Sequence, residues 1–416
     1  MPDRSPTRER HTALRGVIQI SRPSAYCGRS SLTVALGVLS WLGLATASPT
    51  HPQAAETFLR AAHWLDPVTG DLHGPVIVQI AGGKIMKLGA PREFQLGANA
   101  TVTDLGAATL LPGLVDAHVH LQLGGGRPVD NALAILRAGF TTVVDLGATS
   151  DLVLRLRDRI NAGTVEGPRV LAAGRWVGKQ GSICEFGGLG IPGGPEAYRT
   201  RVGEDIAAGA DVTKVCVSTW LVDAFERPDA YEVSDAALAA TVDAAHRAGR
   251  LVIAHAISLG AVKASLRAGV DGLAHAAYVD QPTAVQLRDQ NVFMIPTLAS
   301  LVGDTAGPAA EGLRRAVATA HREKVRLVFG TDGGVLPHGQ NAQEFAAMVA
   351  AGIPVLDAIR AATINAAQAF HLADEIGQIK AGYRADLIAV NGDPLRDTQV
   401  LSRVTFVMRD GRVISR

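Results

Sequence analysis

The sequence predicts an α/β protein built as a (β/α)8 TIM barrel, with a small β-sandwich domain assembled from both chain ends. Three observations predict it. From about Leu111 onward, short β-rich runs alternate with amphipathic, alanine-rich helical stretches. There are eight such runs, and several of the helical stretches close on the same Ala-Gly pair. Strand and helix alternating in this way is the pattern of a parallel sheet wrapped by helices. An open doubly wound sheet is the competing architecture.

The eight runs are LVDAHVH 114–120, FTTVVDL 140–146, RVLAAG 169–174, DVTKVCV 211–217, RLVIAHA 250–256, DGLAHA 271–276, NVFMIPTL 291–298 and RLVFGTD 326–332. The closing pairs are Ala138-Gly139, Ala162-Gly163, Ala208-Gly209, Ala248-Gly249 and Ala268-Gly269. A glycine there ends a helix in the left-handed conformation without a Cβ penalty. The barrel is expected over 112–375. Residues 56–111 and 376–416 read instead as short strands with Gly and Asn/Asp turns, as in PVIVQIAGGKIMKLG and VTFVMRDGRVI. These two flanks are expected to pair into one small β-domain.

The N-terminal segment 1–47 reads as a secretory signal peptide. Leu32 to Leu44 is an apolar run of thirteen residues, preceded by Arg22 and Arg29 and followed by Ala45-Thr46-Ala47. It is short for a membrane span, which needs about 20 residues. Cleavage near Ala47 predicts a secreted or periplasmic protein with no membrane association afterwards. Cys27 would leave with the leader, and nothing in the positions of Cys184 and Cys216 compels a disulfide.

Composition excludes several classes. Lys plus Arg (40) nearly cancels Asp plus Glu (39), so no nucleic-acid partner is expected. A hydrophobic content of 47% excludes disorder, and three cysteines exclude a disulfide-stapled scaffold.

The chemistry starts at Asp116-Ala-His118-Val-His120. Residues two apart on a strand face the same side, so His118 and His120 project together from the first strand and are placed to share a metal. Alone, two such histidines are more often ordinary buried residues. The later runs carry Lys214 on the fourth, His255 on the fifth, His275 on the sixth and Asp332 on the eighth, each at or near the end where barrel enzymes assemble their sites. A lysine inside Thr-Lys-Val-Cys-Val is costly to bury as an ammonium. Each residue has a bland reading as a snorkelling lysine, a satisfied core histidine or a turn-capping aspartate. Six of them on the right strand ends are hard to credit to chance.

This pattern, P-G-L-V-D-A-H-V-H with the lysine, two later histidines and G-T-D, resembles the amidohydrolase superfamily across nearly the whole chain after the leader. It is most similar to the binuclear-metal branch related to imidazolonepropionase, the branch of Xaa-Pro dipeptidases and ochratoxin-hydrolysing enzymes. The stretch Gly330 to Glu344, and intervals of 41 residues from Lys214 to His255 and 20 from there to His275, carry the likeness. Single-metal deaminases of the superfamily lack the lysine. The resemblance implies two divalent metal ions, zinc before manganese or cobalt. His118, His120 and Asp332 would hold one, His255 and His275 the other, and a carboxylated Lys214 would bridge them. It implies a hydroxide between the metals as nucleophile, with Asp332 taking its proton and passing it to the leaving amine.

The expected substrate is a small-molecule amide, a dipeptide or N-acyl amino acid with a free carboxylate, ochratoxin A included. Lactone, ester or cyclic-amide hydrolysis by the same metals is the alternative. A metal-free binding scaffold would predict losses among the six residues, and none is lost. His338, six residues beyond Asp332, is read as orienting the scissile carbonyl or else as packing its loop. Tyr231, after the fourth strand, is read as binding a substrate carboxylate or carbonyl. Relatives carry a Gly-Gly-His element after the third strand, where this chain has Gln180-Gly-Ser-Ile-Cys-Glu within a glycine-rich stretch 178–188, which leaves substrate preference open. Such relatives form homo-oligomers, and one is expected here.

Overall fold

Parallel pairing organises the middle of the chain in a computed structural model that describes residues 56–97, 100–302 and 307–415. The 1–47 leader and Cys27 lie outside the described residues. Strands Leu114–Val119, Phe140–Asp145 and Arg169–Ala172 form a three-stranded parallel sheet. Strands Val177–Gly178, Val212–Cys216, Leu251–Ala256, Gly272–His275 and Phe293–Ile295 form a parallel sheet of five. Backbone bonds continue beyond the ladders: Asp211 N donates to Ala172 O at 2.8 Å, Val328 N to Met294 O at 2.9 Å and Ala117 N to Phe329 O at 2.9 Å.

The sequence predicts eight ladder strands, and the eighth run departs from that. Residues 326–332 make isolated bridges and single backbone bonds but no ladder of their own. Asp332 turns out of the extended region at φ 56°, followed by the positive-φ Gly334, so the run bends as it reaches the site. An additional strand, Val177–Gly178, pairs Val177 with Val215 and Gly178 with Cys216.

The helices between the strands begin and end on local chemistry. Ser234, Ser258 and Asp280 cap the starts of Asp235–Arg247, Leu259–Ala268 and Gln281–Asp289, each side chain accepting a backbone N–H of the first turn. All five glycines of the closing Ala-Gly pairs have positive φ, from 67° at Gly249 to 98° at Gly209.

The flanks pair with each other. Leu387–Val390 runs antiparallel to Thr109–Pro112, from Leu387 opposite Pro112 to Val390 opposite Thr109. They sit in a six-stranded sheet with Arg412–Ser415, Val404–Arg409, His63–Leu65 and Leu72–His73. A four-stranded sheet holds Lys84–Gly89, Val76–Ala81, Thr57–Ala61 and Thr101–Asp104. One buried apolar cluster contains residues of both sheets, among them Leu59, Val78, Ile85, Leu110, Leu387 and Phe406.

Candidate metal centre

The six residues singled out from the sequence are all buried, with exposures of 1% at His118 and His275, 2% at Lys214, 3% at Asp332, 5% at His255 and 6% at His120. His118 and His120 leave the same strand two residues apart, and their Nε2 atoms come within 3.3 Å. Asp332 Oδ1 lies 3.3 Å from His118 Nε2 and 3.2 Å from His120 Nε2. Lys214 Nζ points at His118 Nε2 from 3.1 Å. The rings of His255 and His275 stand 4.6 Å apart between centroids, and the His275 ring is 5.1 Å from that of His118.

Local backbone is shaped to allow this convergence. A Cβ at Gly330 would stand 2.9 Å from His118 Cβ, so the eighth run approaches the first strand only because a glycine is there. His275 (φ 74°), Thr297 (φ 50°) and Asp332 (φ 56°) all hold left-handed conformations that β-strands avoid. Three left-handed residues on three neighbouring strand ends turn their side chains toward one point.

A layer of buried polar groups fixes the side chains of the cluster. Asp116 accepts hydrogen bonds from Thr331 Oγ1 (2.6 Å), Asn341 Nδ2 (2.7 Å) and the backbone N–H of His118 and Thr331 (both 3.1 Å). Burial pushes its carboxyl up to about 6 against those bonds. Asp145 accepts from Leu121 N at 2.7 Å and Gly147 N at 3.2 Å, and Gly147 O in turn meets His120 Nδ1 at 2.9 Å. His275 Nδ1 meets Thr297 Oγ1 at 2.6 Å. Glu344, fully buried, accepts from Leu298 N (2.9 Å) and Ala299 N (2.6 Å), which locks the residues following Thr297.

The electrostatics are those of a site short of positive charge of the right kind. Burial, then Lys214, drives His118 well below the ordinary imidazole range and His255 down to about 4. Burial, then His255, does the same to His275. Lys214 is lowered by burial to about 7, with Asp332 opposing. Burial would raise Asp332, but His118, His120 and His275 outweigh it and hold the carboxylate ionised. Imidazoles crowd one carboxylate, and among the described residues buried His118 Nδ1 has no hydrogen-bond partner. The donor atoms of His118, His120 and Asp332 all lie within 4.8 Å of one another. Nitrogen and oxygen donors so placed fit a divalent cation.

A model of the amidohydrolase family matches residues 109–414, which take in the parallel sheets and the site together. This chain belongs to the amidohydrolase family. The amidohydrolase is 28% identical over 366 residues to an ochratoxinase of Aspergillus niger, covering 73% of this chain and 75% of that one. Its fold matches a Xaa-Pro dipeptidase solved with bound methionine at a TM-score of 0.78 and 26% identity, covering 86% and 99% of the two chains. A prolidase solved with N-methylphosphonate-L-proline matches at a TM-score of 0.76 and 26% identity, covering 87% and 100%. The superfamily resemblance read from the motifs holds, and the chain is a metal-dependent hydrolase acting on carbon–nitrogen bonds.

Two further sequence candidates lie away from the cluster's direct contacts. His338 is partly buried, with its pKa lowered by burial and Nε2 3.0 Å from Leu123 O. Tyr231 is 39% exposed and donates its hydroxyl to Asp235 Oδ1 at 2.9 Å. Sequence reading assigned no role to Asp116, Asn341, Glu344, Thr297 or Trp176, whose ring is 5.5 Å from that of His120. Asp116 stands in the D-A-H-V-H motif itself, and Asn341 and Glu344 stand in the stretch after Asp332, so a signal was present for three of them. Cys184 and Cys216 form a disulfide.

Proposed function

We propose that this amidohydrolase holds two divalent metals and cleaves the amide bond of a dipeptide or N-acyl amino acid bearing a free carboxylate. The observation that carries the reading is Lys214 Nζ at 3.1 Å from His118 Nε2, inside a cluster of four buried histidines and one carboxylate. A lysine lowered to about 7 is partly neutral at physiological pH and nucleophilic enough to take up carbon dioxide. As a carbamate it would become an anion able to bind metals on both sides. His118, His120 and Asp332 would hold one ion, His255 and His275 the other, with zinc favoured by the donor set over manganese or cobalt.

Bound divalent ions supply a Lewis acid for the scissile carbonyl and make water acidic near neutral pH. The chain's own residues do the rest. Asp332 stays ionised among its histidines and so can take a proton and return it to the leaving amine. Thr297 and Gly147 O fix the rings of His275 and His120. Burial keeps bulk water from competing for these groups. Relatives named ochratoxinase, Xaa-Pro dipeptidase and prolidase support a carboxylate-bearing amide as substrate.

Three further parts belong to the same proposal. The barrel is closed and eight-stranded, a reading supported by the backbone bonds at Asp211, Val328 and Ala117, and the flanking sheets form its β-sandwich. The enzyme is exported after loss of the leader, a reading supported by the Cys184–Cys216 disulfide, which persists in oxidising compartments. It assembles as a homo-oligomer. A panel of N-acyl amino acids, dipeptides, lactones and ring amides, run on protein of known metal content, tests the substrate. Turnover requiring a free terminal carboxylate is expected, and activity confined to lactones or ring amides would overturn it.

A further inference from the structure

The metal cluster has a wall on one side, and that wall is built around the disulfide. Cys216 lies two residues beyond Lys214 on the Val212–Cys216 strand, so strand alternation puts both side chains on the same side. Its partner Cys184 lies in the glycine-rich loop 179–191 that leaves the Val177–Gly178 strand. The base of this loop is closed by Ile191 N donating to Gly178 O at 2.9 Å and Gln180 N to Ile191 O at 3.1 Å. Gly178 itself packs against both cysteines, where an added Cβ would sit 3.3 Å from Cys184 Cβ and 3.4 Å from Cys216 Cβ.

The disulfide is not part of the main core. Cys184, Cys216 and Trp176 make a small buried apolar cluster of their own, with Leu123, Ile183 and Leu189 against it. Two of these residues connect it toward the site. Trp176 lies against His120 with ring centroids 5.5 Å apart, and the carbonyl of Leu123 receives His338 Nε2 at 3.0 Å. Non-covalent ties also hold the loop, Arg201 Nη1 donating to Leu189 O at 3.0 Å, Ile183 N–H to the Glu232 carboxylate and Ser182 N to Lys179 O at 3.1 Å, while Gln180, Gly181, Gly187 and Gly188 are exposed. The crosslink is the covalent tie between this glycine-rich wall and the strand that carries Lys214.

We propose that the Cys184–Cys216 disulfide is a positioning device for substrate: it clamps loop 179–191 against the strand of Lys214, and its reduction opens the substrate pocket without dismantling the metal centre. The reaction is a two-electron reduction of the disulfide. Two electrons from the reductant break the sulfur–sulfur bond and two protons complete the protein thiols; a dithiol leaves as its own disulfide, and a trialkylphosphine as its oxide with oxygen taken from water. The free loop must then be ordered again whenever substrate binds, at a cost that appears in KM. The inference rests on the amide-hydrolase reading for its kinetic part only.

The test uses metal-loaded enzyme reduced with a trialkylphosphine, alongside Cys184→Ala. Lys179 is exposed at the foot of the loop and is the sole lysine or arginine between Arg175 and Arg199, so trypsin cleavage after it reports the clamp. Both treatments are expected to expose that cleavage, leave metal per chain unchanged and raise KM by roughly tenfold with kcat within about twofold. Continued protection of Lys179 with an unchanged KM would overturn the clamp, and so would loss of metal on reduction. If the parent enzyme cleaves no amide at all, the functional reading fails, and the trypsin result still decides the clamp.

Discussion

Arg169 and Lys214 stand at opposite ends of the parallel strands, the first half-buried and the second fully buried, and the fold treats them differently. Arg169 opens its strand facing the terminal β-segments. Its guanidinium donates to Asp386 Oδ2 at 2.7 Å, Thr142 Oγ1 at 3.0 Å and Asp410 Oδ1 at 3.0 Å, and Arg384 donates to the same Asp410 oxygen at 3.0 Å. Asp410 feels burial, but Arg169 and Arg409 outweigh it and lower its pKa. Lys214, at the other end, meets a histidine and shares one carboxylate with four imidazoles. The first arrangement is complete in itself and ties the two parts of the chain together. The second leaves imidazole lone pairs and a depressed lysine crowded on one point, the condition in which a site answers to metal. Buried charge alone marks neither function nor stability; what distinguishes them is whether protein atoms satisfy it.

The comparison can be broken at either end. The largest effect is expected at the metal end: Asp332→Asn should keep the melting profile while lowering kcat by about a thousandfold or more. Near-parental hydrolysis by that variant would remove Asp332 from the proton transfer. At the opposite end, Arg169→Ala should leave Asp386 buried without its partner and destabilise the protein by about 3 kcal/mol. Denaturant unfolding reads that loss, and metal content and kcat/KM measured on the same sample should not change. A drop in metal binding would show that the two ends are not independent.

A smaller effect follows from Glu344, between these extremes: it is buried and hydrogen-bonded, yet close to no cation. Burial raises its carboxyl to about 8 from the ordinary 4.5, against its two backbone bonds. The folded state therefore holds a proton that the unfolded chain has released. The stability this contributes is fully present below pH 4.5 and is lost as pH rises through about 8, with a slope of at most about 1.4 kcal/mol per unit. Glu344→Gln, which cannot ionise, should remove that slope from unfolding curves taken across the same range. An unchanged slope would assign it to other groups.

Much of this was legible in the sequence, for reasons tied to particular residues. The Ala-Gly pairs announce helix ends because a left-handed residue is a local requirement, met at Gly139, Gly163, Gly209, Gly249 and Gly269 alike. His118 and His120 announce a shared face because strand alternation is local too. The eighth strand misled because β-propensity in RLVFGTD says nothing of the turn at Asp332 that takes it out of the ladder. Thr297 gave no signal, since its partner His275 is brought to it only by the pairing of neighbouring strands. The Cys184–Cys216 bond, spanning 32 residues, likewise depends on the two-residue strand Val177–Gly178, which is too short for pattern reading.

Lys214 is the residue on which the proposed two-metal binding depends. Metal content per chain, determined on saturated and desalted parent and Lys214→Ala proteins side by side, tests it most directly. Two divalent ions per parent chain and no more than one in Lys214→Ala are predicted. One ion or fewer in the parent, or two retained without the lysine, would contradict it.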